Sequence, residues 1–272
     1  MSESETSPGP WIAALRRSHD NLQALVEPLG DDQLQQRSYC SDWSVAQVLS
    51  HLGSGAQIFG LFLDAGLSGQ EPPGREAFQP IWEAWNTRTP QTQATDALLT
   101  DELLTRRFES LDTEQRARLR LQMWGMDLDT TGLARMRLSE HVVHTWDVAV
   151  VLDPSATVAA DAVDLLVDTI GLTAARSGKP DGKPRLVHVT TTDPVRHFTL
   201  ETGEAVTLSP ADAGEEAGTA SLASADPGMP ELRLPAEALI RLVYGRLDPA
   251  HTPSAGAREV DLDNLRGIFQ GF

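Results

Sequence analysis

The hydrophobic pattern of this 272-residue chain changes period near residue 155. Before that point apolar residues recur three and four apart, the spacing of one helix face. Trp11, Leu15, Leu22, Leu25 and Val26 mark a first helix from Trp11 to about Leu29, closed by Gly30-Asp31-Asp32. A second starts at Asp42 or Ser44, either a good cap, and runs to about Ala65, before a Gly/Pro loop over 66–74. Helical pattern also covers 78–86, 95–111 and 113–124. A fourth long helix spans about Leu133–Leu152 and stops at Asp153-Pro154, since the residue before a proline disfavours helical backbone. Four long antiparallel helices over about 150 residues describe a bundle.

The second half reads differently. One more helix, 158–175, precedes the loop SGKPDGKP. The run RLVHVTTTDPVRHFTLETGEAVTL, rich in Val and Thr, then predicts a β-meander with turns at Asp193-Pro194 and Thr202-Gly203. Further short strands are expected at 218–224 and 231–234, with an acidic, small-residue loop over 211–218. Pro235 opens a helix through AEALIRLVYGRL, and Val260–Leu262 with a short terminal helix complete the chain. The expected architecture is therefore multi-domain α and α+β. A helical bundle occupies 1–153 and a smaller α+β domain 154–272, with the linker near Asp153–Thr157.

Charge narrows the function classes. Lys+Arg 22 against Asp+Glu 39 gives a net charge of −17, a field that repels phosphate backbones and anionic lipid. Nucleic-acid and membrane partners are excluded on that ground. No apolar run approaches the ~20 residues of a spanning helix. The polar N-terminus lacks the basic and apolar parts of a secretion signal, so cytoplasmic residence is expected. The single cysteine, Cys40, excludes an internal disulfide and any cysteine-rich zinc cluster. Lys179 and Lys183 are the only lysines, so an anionic substrate group must meet arginine, a metal or backbone amides.

The fourth helix carries the chemistry. Stepping ~100° per residue places Met136, Glu140, Val143, His144, Asp147, Val150 and Val151 on one apolar face, and turns His141 away by about the same angle. Ionisable groups inside a buried stripe are costly unless paired, hydrogen-bonded or metal-bound. On the second helix His51 shares a face with Ser44, Val48, Gly55, Ile58 and Phe62, where glycine and serines leave space. Taken alone, His51 reads as a core histidine and Glu140–His144 as a surface pair four residues apart. If the two helices are neighbours, His51, Glu140 and His144 converge as two imidazoles and a carboxylate, the donor set of a catalytic zinc site with an open position. Nickel, iron or manganese would suit the same set. Asp147 is placed to hold a histidine nitrogen from behind. His19 and His251 carry no signal, His188 and His197 read as ordinary strand residues, and Cys40 as a structural thiol. Trp11, Trp43, Trp82, Trp85, Trp124 and Trp146 read as packing anchors.

The stretch Tyr39-Cys40-Ser41-Asp42-Trp43-Ser44-Val45 with His51-Leu52, the run Glu140-x-x-x-His144-x-x-Asp147, and Leu234–Leu247 ending Tyr244-Gly245-Arg246-Leu247 together resemble the mycothiol-dependent maleylpyruvate isomerase family. Ser41-Asp42 stands where the family often has Pro-Gly. The resemblance implies a DinB-like four-helix bundle and a sterol-carrier-like C-terminal domain. It also implies zinc or another divalent metal on His51, Glu140 and His144, and mycothiol as thiol cosubstrate. A catalytic arginine matches Arg246, with Arg241 behind it as a cofactor-binding group. The reaction implied is thiolate attack on a small electrophile, in a cleft between the domains, giving either S-transfer or cis–trans isomerisation. The alternatives are a non-catalytic metal- or ligand-binding protein of the same fold and a metal-dependent hydrolase activating water. The expected assembly is a monomer or small homo-oligomer.

Overall fold

The computed structural model describes residues 7–40, 42–123, 125–211, 229–254 and 256–271. The chain divides into two compact units, Met1–Thr157 and Val158–Phe272.

In the first unit, α1 (Pro8–Val26) begins with proline in its first turn and buries Trp11, Ile12, Leu15, Leu22 and Val26. A short α2 (Asp31–Gln35) follows. Ser44 caps α3 (Val45–Ser68) in a reciprocal box. Its Oγ accepts the Gln47 N–H at 3.2 Å, and Gln47 Oε1 accepts the Ser44 N–H at 2.8 Å. The helix runs past the glycine expected to end it. Gly66 stays helical, and Leu119 packs so closely on it that a Cβ there would stand 3.1 Å away. Termination falls instead to Gly69, whose φ of 66° is the left-handed conformation that closes helices. Next come α4 (Arg75–Asn86), α5 (Pro90–Ser110) capped by Thr89, and α6 (Thr113–Arg118).

The helix expected to reach residue 124 stops at Arg118. Leu119, Leu121 and Met123 are buried while Arg118, Arg120 and Gln122 are exposed, a period of two rather than 3.6. The segment accordingly forms a hairpin of β1 (Leu121–Met123) and β2 (Met126–Leu128), turning through Gly125 at φ 74°. Trp124 lies outside the described residues. Asp129 then caps α7 (Thr130–Leu152) by accepting the Gly132 N–H at 2.8 Å.

Among the described residues, the four long helices are α1, α3, α5 and α7. Helix α1 packs on α5 and α7, and α3 packs on the same two, so α1 and α3 stand across a diagonal. Leu22, Val26, Val45, Val48, Leu49, Leu52, Trp85, Ala97 and Val148 share one buried cluster. Both α4 and α5 approach α3 closely enough to require glycine: a Cβ on Gly53 would lie 2.2 Å from the Trp85 ring of α4 and 2.9 Å from Ala97 Cα of α5.

In the second unit, the single helix expected over 158–175 is broken into α8 (Ala160–Leu166), a 3-10 turn over 167–169, and α9 (Ile170–Ser177). The meander forms as β3 (Arg185–Thr192), β4 (His197–Thr202) and β5 (Thr207–Pro210). Strand β6 (Glu231–Pro235) pairs with β3 in parallel, and β7 (Gly256–Arg258) with β6 in antiparallel, giving the order β5-β4-β3-β6-β7. Helix α10 (Ala236–Val243) is shorter than expected, because Gly245 at φ 72° turns the chain. The last strand is β7, and the terminal helix α11 (Leu262–Ile268) opens at Leu262. The strand expected at 218–224, and the loop over 212–218, lie outside the described residues.

Candidate metal centre

His51 sits seven residues into α3, fixed in rotation by the Ser44 cap; Glu140, His144 and Asp147 lie on α7, which packs against it. His51 Nε2 is 3.5 Å from Glu140 Oε2, and His144 Nε2 is 3.7 Å from the same oxygen. One donor atom from each of the three residues lies within 4.8 Å of the others. Bonds of about 2.0–2.1 Å in a tetrahedral site separate ligand atoms by roughly 3.4 Å, so the donor set fits a divalent cation. The neighbouring helices thus bring together the three residues chosen from the helix projection.

Burial is graded along α7. Asp147 is fully buried and His144 nearly so, whereas His51 and Glu140 side chains are 36% and 41% exposed. The sequence placed all of them in the middle of an inward stripe; the outer two instead form a mouth open to a ligand. Half-exposed Trp43 flanks that mouth, its ring 5.3 Å from that of His51 and 6.4 Å from that of His144. It is a wall of the site rather than a packing anchor.

Asp147 Oδ2 lies 2.8 Å from His144 Nδ1. An ionised carboxylate only accepts, so this contact puts the imidazole proton on Nδ1 and leaves the Nε2 lone pair facing Glu140. The Cys40 thiol donates to the same Oδ2 at 3.1 Å. Burial lowers the pKa of His51 below its ordinary value, with Glu140 only partly offsetting it, so the ring is neutral near neutrality. Desolvation opposes ionisation of Glu140 despite its exposed edge, but His51, His144 and Arg137 outweigh it and hold the carboxyl at about 2.

The space beside His51 left by Gly55 is taken by Arg137, whose Nη1 would stand 3.2 Å from a Cβ there. This arginine leads to a group that the sequence did not reveal. Arg137 Nη2 donates to Asp101 Oδ1 at 2.7 Å and to the Leu52 carbonyl at 3.0 Å. Asp101 Oδ2 meets His19 Nδ1 at 2.8 Å and His141 Nε2 at 3.0 Å, and Ser18 Oγ reaches His141 Nδ1 at 2.7 Å. His141 is therefore not peripheral, and His19 is not without a role: both are buried against one carboxylate. The only available signal was Arg137 and His141 one turn apart on α7.

In the second unit, the Arg241 fork is held by Glu237, with Nε and Nη2 at 2.7 and 2.8 Å from its two oxygens. Its Nη1 reaches the carbonyls of His251 at 2.8 Å and Arg246 at 3.4 Å. Arg246 follows the Gly245 turn, and its Nη1 donates to the Tyr244 carbonyl at 2.6 Å. His188 and His197 stack across β3 and β4, ring centres 5.6 Å apart.

Fold and site together define a class: a four-helix bundle presenting a His–Glu–His donor set from two facing helices, followed by an α+β sheet unit. Residues 15–149 match the family model described as the mycothiol maleylpyruvate isomerase N-terminal domain. The helical unit is thus similar to this family's N-terminal domain. Among solved structures it is similar to the mycothiol-dependent maleylpyruvate isomerase, with a TM-score of 0.64 and 13% identity over 89% of this chain and 91% of that one. It is likewise similar to a histidine-to-alanine mutant of mycothiol-dependent maleylpyruvate isomerase, with a TM-score of 0.64 and 12% identity over 92% of each chain. At such identity the likeness is one of fold. No curated protein sequence matches the chain.

Proposed function

We propose that this chain is an enzyme that binds a divalent cation, zinc in the first instance, through His51, Glu140 and His144. We further propose that it uses mycothiol to attack a small electrophile, by S-transfer or by cis–trans isomerisation of a maleylpyruvate-like compound. The observation that supports this reading best is the donor set itself. Two Nε2 atoms stand 3.5 and 3.7 Å from one carboxylate oxygen, near the ligand separations of a tetrahedral site, and one of the imidazoles is held from behind by a buried carboxylate. The solved isomerases named above act with mycothiol, and the helical unit is similar to their family's N-terminal domain.

A bound divalent cation would supply Lewis acidity that deprotonates a coordinated thiol at neutral pH. The residues do the rest. Ionised Glu140 presents lone pairs at once, and neutral His51 needs only a change of tautomer to turn the Nε2 lone pair inward. Asp147 keeps the His144 proton on Nδ1. Trp43 forms an apolar flank that sheds water from one side of the mouth. Arg246 is proposed to pair with a substrate carboxylate, for which a guanidinium fork is suited. Arg241, its own fork held by Glu237, would position the Arg246 turn rather than touch a cofactor.

The test is a zinc-reconstituted preparation assayed with mycothiol and cis-configured or otherwise electrophilic acids, following free thiol and product together. Isomerisation regenerates the thiol and S-transfer consumes it; either supports the proposal. Turnover that proceeds at full rate without thiol would mark water activation instead and overturn it.

A further inference from the structure

The loop between α2 and α3 makes an unexplained approach to the metal-type site. Tyr39 N–H donates to the Asp147 backbone carbonyl at 3.1 Å, and the next residue, Cys40, donates its thiol to Asp147 Oδ2 at 3.1 Å. That oxygen is the one that holds His144 Nδ1 at 2.8 Å. Cys40 is itself fastened: its carbonyl accepts the Trp43 N–H at 2.7 Å and the Ser38 hydroxyl at 3.1 Å. The carboxylate, buried on α7, thus has one oxygen shared by an imidazole from its own helix and a thiol from a different segment.

We infer that Cys40 is a positioning residue, its S–H fixing the Asp147 carboxylate in the orientation that locks His144 for cation binding. A carboxylate has several lone-pair directions and turns about its last torsion, so one hydrogen bond to an imidazole leaves it able to swing. A second donor on the same oxygen, anchored in a loop bonded to the Asp147 backbone, removes that freedom. The thiol acts here as a proton donor and undergoes no covalent step. Loss of an outer group that orients a ligand costs about 10–100-fold in metal affinity. The same loop carries Trp43, so the tie from Cys40 to α7 also holds the wall that flanks both imidazoles.

The inference rests on the cation-site reading above, and its test separates the two. Cys40→Ala removes the donor, while Cys40→Ser keeps one. Long-range proton–nitrogen correlation spectra of the full chain, with His144 assigned from a His144→Gln reference, read which ring nitrogen bears the proton in the zinc-free protein. Chelator competition with zinc alone reads affinity. Cys40→Ala is expected to populate both His144 tautomers and to weaken zinc binding roughly tenfold, while Cys40→Ser keeps the Nδ1–H form and binds within about twofold of the parent. If the alanine variant fails to fold, Cys40→Val replaces it under the same readings. An alanine variant unchanged in both readings, one that binds zinc more tightly, or a serine variant as impaired as alanine would overturn the inference. A parent chain that binds no zinc would defeat the proposed function, yet the tautomer comparison would still decide the role of Cys40.

Discussion

Replacing Asp101 with Asn measures what the buried group behind the site contributes. In the native chain Arg137 and Asp101 are 2% and 3% exposed and 2.7 Å apart, and Asp101 Oδ2 also receives His19 and His141. Desolvation alone would raise the Asp101 pKa, but His141 and Arg137 pull it well below the carboxylate range, so the pair is fully charged. Asparagine keeps the shape but offers N–H donors where two imidazoles already donate, and it leaves the guanidinium buried without a counter-charge. Stranding one member of a buried ion pair costs about 3–5 kcal/mol. At about 2–4 °C per kcal/mol for a unit of this size, the helical transition should fall by roughly 6–20 °C. Calorimetry with helical circular dichroism reads it, and adding Arg137→Met should recover part of the loss by removing the stranded charge. A loss under about 1 kcal/mol, the worth of an exposed pair, would refute the argument that this carboxylate is an obligatory partner.

Gly53→Ala places a Cβ 2.2 Å from the Trp85 ring, so it should destabilise the bundle by about 1–3 kcal/mol in urea titrations; a neutral result would contradict the close packing of α4 and α5 on α3. Asp147→Asn should weaken zinc binding in chelator competition by about 10–100-fold, and unchanged affinity would show that His144 needs no partner. For the zinc-free protein the sign of the pH dependence follows from the shifts. His51 titrates below its ordinary 6.5, and Glu140 at about 2 rather than 4.5. The unfolded chain therefore binds more protons in both intervals. Stability should be complete above 6.5, decline as pH falls through it, and decline again from 4.5 towards about 2. Melting temperatures that stay flat on acidification would contradict those shifts.

Much of the helical unit could be read from local chemistry. The Ser44–Gln47 box and the spacing of Glu140, His144 and Asp147 are encoded within single turns, so caps and faces follow from the residues themselves. The hairpin at 121–128 was missed because its alternation spans too few residues to displace a helical pattern that flanks it on both sides. The parallel pairing of β6 with β3 was invisible for another reason: it joins segments some forty residues apart, and no local propensity specifies that partner. At the site, projection onto one stripe assigned α7 a single inward face. A bundle helix touches two neighbours: off that stripe His141 meets Ser18 of α1 and Asp101 of α5, while Arg137 reaches the Leu52 carbonyl of α3 and the same Asp101. The part played by Cys40 was hidden likewise, since its bond to Asp147 spans more than a hundred residues.

Metal content of the purified, zinc-equilibrated full chain puts the proposed donor set to the most direct trial, measured by elemental analysis beside His51→Ala, His144→Ala and Glu140→Gln. The account predicts about one tightly held divalent ion per chain, retained through desalting by the parent and lost from each variant while its helical content persists. A parent that emerges metal-free, or variants that keep the ion in full, would contradict the assignment of these three side chains as its ligands.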